Sequence, residues 1–275
     1  LKTWLTLAVL TVLVIWGLEA LIGRQGFLLG FLICAGLSLI AIFYGARLIL
    51  WTYSARPLEG ADPYGLNAMV RRLCEKAGSP PPAVFLIPSP TPDAFVVGRG
   101  PVTCAIAVTE GLVVLMNKDE LESVVAELLV KVANQDTLPL TVSATLASFI
   151  MYIANSFRWL VSFGRAPKNG KPNIVGTIFA SIFAPFASVI VHVLTPKNLH
   201  LHSDTMAAEI TQKPQALAQA LWKMHNYASA QPLAATEATA HIFMINPLPN
   251  KGLNTLFNSH PKIEDRIQRL IGRTL

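Results

Sequence analysis

The sequence predicts an α+β protein fixed to a membrane by helical hairpins, on three observations. The 275 residues are 52% hydrophobic and only 14% charged, with a mean hydropathy of +0.48, whereas a soluble domain carries about 25% charged residues. Apolar runs close to the roughly 20 residues that cross a bilayer core come in pairs, about Thr3 to Ile22 with Phe27 to Trp51, then about Leu138 to Phe163 with Ile174 to Leu194. Around these pairs, two short β-branched runs stand among amphipathic helical patterns.

The first pair is joined only by Gly23-Arg24-Gln25-Gly26 and forms a tight hairpin. A cleaved signal sequence is the alternative for its first half, but no A-x-A site follows and a second full run comes at once. The second pair is separated by the polar turn Gly164 to Lys171. Both its runs are long enough to span, and an amphipathic or partly protein-buried hairpin shares that hydropathy. Between the pairs, Asp62-Pro63 caps a helix with Leu66, Met69, Val70 and Leu73 on one face, ending near Gly78. Ala83 to Ile87 reads as a short strand. So does Val102 to Thr109, bounded by Gly100-Pro101 and Glu110-Gly111. Asn117 with Glu120 forms a capping box for a helix that turns Leu121, Val124, Val125 and Leu128 inward. Helices over Asn198 to Ile210 and Gln215 to Tyr227 follow the second pair, and Pro261 suits the first position of a last helix.

The net charge of +6 is spread along the chain, with Arg71-Arg72 the one adjacent basic pair, so nucleic acid is not an expected partner. Cys34, Cys74 and Cys104 are odd in number and lack C-x-x-C spacing, which excludes a disulfide framework or thiolate metal site. Lys2, Arg47 and Arg56 lie on one side of the first hairpin against Arg24 on the other, which places the polar part in the cytoplasm by the positive-inside bias. Arg165, Lys168 and Lys171 in the second turn argue the other way.

The helix after Asn117 contains Val124-Val125-Ala126-Glu127-Leu128-Leu129-Val130-Lys131-Val132. Around it, motifs fall in a fixed order: Pro92-Asp93-Ala94-Phe95 with Gly98-Arg99, Val108-Thr109-Glu110-Gly111-Leu112, Asn134-Gln135-Asp136-Thr137, Asp204 with Ala207-Ala208, Asn246-Pro247-Leu248, and Leu256-Phe257-Asn258-Ser259-His260-Pro261 followed by Arg266. In that order the chain resembles the HtpX family of membrane zinc metalloproteases, relatives of the CAAX prenyl proteases, over nearly its whole length. The resemblance implies a zincin-like domain built from residues 52–137 and 196–275, with membrane hairpins at 1–51 and 138–195. It also implies residence in a bacterial inner membrane.

Carried over by position, the resemblance sets the family's first histidine ligand at Glu127, its catalytic glutamate at Leu128, its second histidine at Lys131 and its third ligand, a glutamate, at His200. Asn134, Asp136, Asp204, His260 and Arg266 keep the family's residues. A catalytic zinc takes three protein ligands and an open position for water, and hydrolysis needs a base for that water. Lys131 brings a cation to the metal's place and Leu128 has no proton to exchange, so no cofactor is expected. The leading expectation is a non-enzymatic, HtpX-like pseudoprotease: a structural or regulatory subunit of a membrane protein complex, or a binder of membrane-protein segments. An exposed edge strand at Val102, Cys104, Ile106 and Val108 would recruit such a segment by backbone pairing. The alternative is a membrane metalloendopeptidase with an atypical centre using Glu127 and His200.

Plainer readings compete for the other residues. Glu127 and Lys131, spaced i, i+4, form a favourable helix pair, expected to join with His200 and Asp204 as a polar crosslink in place of zinc. His202 lies two residues from His200 and faces another way, so only His200 and Asp204 share a face. His192, His225 and His241 read as structural, and His260 as part of a helix start. Gly98-Arg99-Gly100 lacks the lysine and helix of a phosphate loop and reads as a hairpin turn.

Overall fold

The structure, a computed structural model, describes residues 3–4, 7–8, 11–12, 15–16, 19, 23–59, 62–161, 174–195, 198–248 and 252–272. Most of the first expected span and the whole Gly164 to Lys171 turn lie outside the described residues. Helix α1 (Arg24–Phe43) is followed, after a break at Tyr44, by α2 (Gly45–Thr52). Gly45 permits the close approach of α2 to the later hairpin helix, since a Cβ there would meet Thr145 Oγ1 at 2.5 Å. The chain continues through β1 (Arg56–Pro57), α3 (Leu66–Ala77), β2 (Ala83–Ile87), β3 (Ala94–Val97), β4 (Ala105–Thr109) and the short α4 (Glu110–Leu115). Then come α5 (Lys118–Ala133), α6 (Thr137–Val161), α7 (Ile174–Leu194), α8 (Asn198–Thr211), α9 (Pro214–Ala230) and α10 (Ile263–Ile271).

Local chemistry explains the boundaries. Both Asp62 oxygens accept from backbone amides opening α3, Leu66 N at 3.0 Å and Asn67 N at 2.8 Å, and Gly78 closes it in the left-handed conformation. Asn117 and Glu120 form the reciprocal capping box of α5. Between α5 and α6, Gln135 takes a positive φ of 59° and the chain bends by 89°.

The sheet has the order β1-β2-β4-β3, with β4 parallel to β2 and antiparallel to β3. The expected edge strand is therefore corrected. Ile106 pairs with Val84 on one side and Val96 on the other, and Val108 with Leu86 and Ala94. Cys104, Ile106 and Val108 are buried, and Val102 lies in the turn before the strand. The backbone groups that would capture a segment are already used. The strand that interposes itself, β3, is a four-residue run buried on both faces, so it lacks the period-two alternation that marks a half-exposed strand. Its outer side is itself partly covered, by a bridge from Phe95 to Phe243.

Both faces of the sheet are covered. Val84, Val96, Ile106 and Val108 pack with α3, α5, α9 and α10 through Leu66, Val124, Leu128, Leu221 and Ile267. On the other face Phe95, Val97 and Ala107 pack with Ile49, Tyr53, Leu140 and Phe243, where the Phe243 ring meets Tyr53 and Phe95 edge to face and the three centroids lie 5.1–5.7 Å apart. Among the described residues two helical stretches are long and apolar enough to cross a membrane, Gln25–Phe43 and one running from Ser181. The residues of α6 meet the same criterion only jointly with α5, across their bend.

At the β3–β4 turn Gly98 has φ 142° and lies against the Cys104 backbone. Gly98→Ala is expected to destabilise the chain by roughly 1–3 kcal/mol, read as a lower Tm in detergent.

Candidate functional site

Helix α5 runs through the core with almost every side chain from Glu120 to Val132 buried. Its Val124, Val125 and Leu128 join the apolar cluster under the sheet, so Leu128 adds packing. Glu127 and Lys131, 0% and 1% exposed, pair at 3.0 Å between Oε1 and Nζ. The contact is one of charge: Lys131 Nζ makes no well-directed hydrogen bond, and Glu127 Oε2 has no partner. The bond that ties α5 to α8 comes from Ser203, whose Oγ donates to Glu127 Oε1 at 2.8 Å. The expected crosslink through His200 and Asp204 is corrected accordingly. Neither His200 nitrogen has a hydrogen-bond partner, and Asp204 is engaged elsewhere.

Asp204 receives two hydrogen bonds from Arg266, Nε and Nη2 each at 2.7 Å, and Arg266 Nη1 donates to the Met244 carbonyl at 2.7 Å. This is the forked geometry that suits guanidinium to carboxylate. Burial pushes the Asp204 carboxyl up and the Arg266 charge pulls it back. His260 Nε2 donates to the Phe243 carbonyl at 3.0 Å, and its ring lies 4.8 Å from that of His200 at 30°. Burial first, and the charges of Arg266 and Lys131 after it, push His260 down to about 3. Burial, then the Lys131 charge, hold His200 well below the ordinary imidazole range. Both rings are neutral at physiological pH. His202 is exposed on the opposite face of α8. Asn134 closes α5 and donates to Met206 Sδ of α8 at 3.7 Å, and Asp136 sits in the bend.

Asp93 escaped the sequence reading as a site residue. Its Oδ1 accepts from Ala94 N at 2.8 Å and Met244 N at 3.1 Å, and Oδ2 has no hydrogen-bond partner. Burial pushes this carboxyl up to about 7, against the pull of those backbone amides and of Lys131. The signal was available, since an acid stands inside Pro92-Asp93-Ala94-Phe95, one of the motifs that carry the resemblance. Ser203 and the stacking of His260 on His200 left no pattern in the sequence. A cavity of about 680 Å³ opens beside the site, lined by His225, Asn246, His260, Lys262, Glu264 and Arg266 among others. Glu127 and Lys131 are not on its walls.

These residues do not fit a catalytic zinc. Among the described residues no three His, Cys, Asp or Glu side chains are grouped to hold an ion, and a buried ammonium stands 3.0 Å from the carboxylate that would bind one.

A family model described as peptidase family M48 matches residues 63–274. The chain belongs to peptidase family M48. Its HtpX-like character rests on proteins named "Protease HtpX homolog". That of Desulforapulum autotrophicum is 36% identical, covering 98% of this chain and 88% of the relative. Those of Pyrococcus abyssi, at 36% identity covering 98% and 94%, and of a Sulfurovum species, at 37% covering 98% and 97%, agree. The crystal structure of S. mikatae Ste24p matches with TM-score 0.52 at 16% identity, over 98% of this chain and 65% of that one. That likeness shows the fold. The family assignment and the α+β metallopeptidase fold thus agree with the expectation from sequence.

Two outcomes follow from the geometry. Lys131→Met strands the Glu127 carboxylate and is expected to cost roughly 3–5 kcal/mol, with much of the loss recovered in Glu127→Gln/Lys131→Met; thermal or denaturant melts of the two variants measure it. Asp93 has a folded pKa above its unfolded value, so its contribution is full below about pH 4 and is lost as pH rises through about 7. Asp93→Asn is therefore expected to raise Tm above pH 7.5, with the gain shrinking toward pH 5.

Proposed function

We propose that this chain is a catalytically inactive, HtpX-like pseudoprotease that serves as a structural or regulatory subunit of a membrane protein complex. The observation that carries the proposal is the buried Lys131 Nζ 3.0 Å from Glu127 Oε1. That cation occupies the helix face on which the family's metal ligands fall, and Leu128, beside it in sequence, has no group to take a proton from water. The apolar stretch Gln25–Phe43 supports attachment to a bilayer. Lys2, Arg47 and Arg56 against Arg24 support a cytoplasmic zincin-like domain at the bacterial inner membrane. Strand β4 is paired on both sides and so offers no edge to a recruited segment.

A second reading has its own support. The curated relatives are named proteases, and the comparisons taken alone favour a membrane metalloendopeptidase. On this chain such an enzyme would draw on Glu127 and His200, whose nitrogens are unpartnered. It would also have to displace the Lys131 charge.

Metal analysis of the purified full chain, with cleavage of a denatured membrane protein assayed with and without chelator, separates the two. The proposal expects no stoichiometric metal and no chelator-sensitive cleavage; finding both establishes the enzyme. Purification from the native host in gentle detergent is expected to bring down one reproducible assembly, and a lone monomer counts against the subunit role.

A further inference from the structure

Beyond the end of α1 the chain presents Tyr44, Arg47, Leu48 and Trp51 to the outside. Their i, i+3, i+4, i+7 spacing sets them in one stripe along α2, while Gly45, Ile49 and Leu50 are buried on the opposite face. Trp51 is 81% exposed. The stripe directly continues the 19-residue apolar stretch Gln25–Phe43, whose length of roughly 28 Å at 1.5 Å per residue matches a hydrocarbon core of about 30 Å. Phe43 therefore marks the hydrocarbon boundary, and the aromatic and basic side chains after it stand at headgroup depth.

A second cation reaches the same place from the sheet. The Arg99 guanidinium lies 4.6 Å from the centroid of the Phe43 ring, and Arg47 follows Phe43 by one helical turn. The turn that carries Arg99 is fixed, because Gly98 N donates to Thr141 Oγ1 of α6 at 2.8 Å and Gly98 holds a φ open to few other residues. Val102, further along this turn, is 84% exposed. None of the ion pairs among the described residues uses Arg47 or Arg99.

We propose that Arg47 and Arg99 hold the phosphate of an anionic phospholipid headgroup in the leaflet next to the zincin-like domain, with Phe43, Tyr44 and Trp51 against its glycerol and upper acyl region. Guanidinium forks match phosphate oxygens, and basic residues at this depth attract anionic lipid. A free phosphate would leave the apolar stripe in water, whereas a lipid covers both. The inference rests on α1 crossing the bilayer and is independent of any peptidase activity.

The test is native mass spectrometry of the full chain released from mild detergent, with phosphatidylglycerol or phosphatidylcholine added. The wild type is expected to retain phosphatidylglycerol in preference. Removing each arginine should weaken that preference about fivefold, the ratio that corresponds to one basic residue at a membrane surface, and Arg47→Gln/Arg99→Gln should weaken it about twenty-five-fold. The equal-charge control Arg71→Gln/Arg269→Gln, on α3 and α10, should leave it unchanged. Full preference in the double variant overturns the proposal, as does equal loss in the control or complete displacement of the lipid by millimolar inorganic phosphate. Should the double variant fail to fold, the single variants carry the test, and either one at wild-type preference overturns the joint site.

Discussion

The constraint on which this structure turns is a lysine ammonium enclosed in protein. A buried charge is tolerated only where opposite charge and hydrogen bonds surround it, and the neighbourhood of Lys131 is arranged accordingly. Glu127 pairs with it directly, and the Asp204–Arg266 fork nearby adds one charge of each sign. His200 and His260 are held neutral by burial and by these cations, so they add none. Asp93, whose carboxyl burial pushes up to about 7, is the adjustable member. Two basic side chains, Lys131 and Arg266, thus face the carboxyls of Glu127 and Asp204 and the raised carboxyl of Asp93.

That balance also explains how helices from distant parts of the chain stay together around the cluster. Ser203 ties α8 to Glu127 of α5. Met244 uses both backbone groups, its N–H reaching Ala94 O and Asp93 Oδ1, its carbonyl receiving Arg266. One residue of irregular chain therefore joins the outer strand of the sheet to α10, and Arg266 passes the connection on to Asp204 in α8. The assembly that would surround a metal is held by hydrogen bonds and ion pairs between its walls.

Much of this was legible in the sequence, for identifiable reasons. The α3 and α5 caps were readable because Asp62, Asn117 and Glu120 act on backbone within five residues. The close placement of Glu127, Leu128 and Lys131 was readable because they fall within five residues of one helix. What escaped depends on long-range pairing. Strand β3 is buried on both faces and gives no alternation, and its insertion beside β4 removed the edge expected there. The choice of Ser203 over His200 as the partner of Glu127 follows from how α8 rotates against α5, and the stacking of His260 on His200 joins residues sixty apart.

The buried charges of this cleft call for a reason beyond stability. Leu128 shows the simpler course, in which an apolar side chain joins the core. Had stability alone shaped the site, Glu127 and Lys131 would follow it, since a buried ion pair is commonly matched or bettered by well-packed apolar residues. The pair instead leaves Glu127 Oε2 without a partner and Lys131 Nζ without a directed hydrogen bond, which is a poor arrangement for stability. It does discriminate against alternatives: sliding α8 along α5 by one turn would separate Ser203 from Glu127 and leave the carboxylate with Lys131 alone. The polar residues therefore act most strongly on which packing is chosen, as single buried polar groups do in setting helix register. A fold that must hold one fixed packing of α5 against α8 is under that demand.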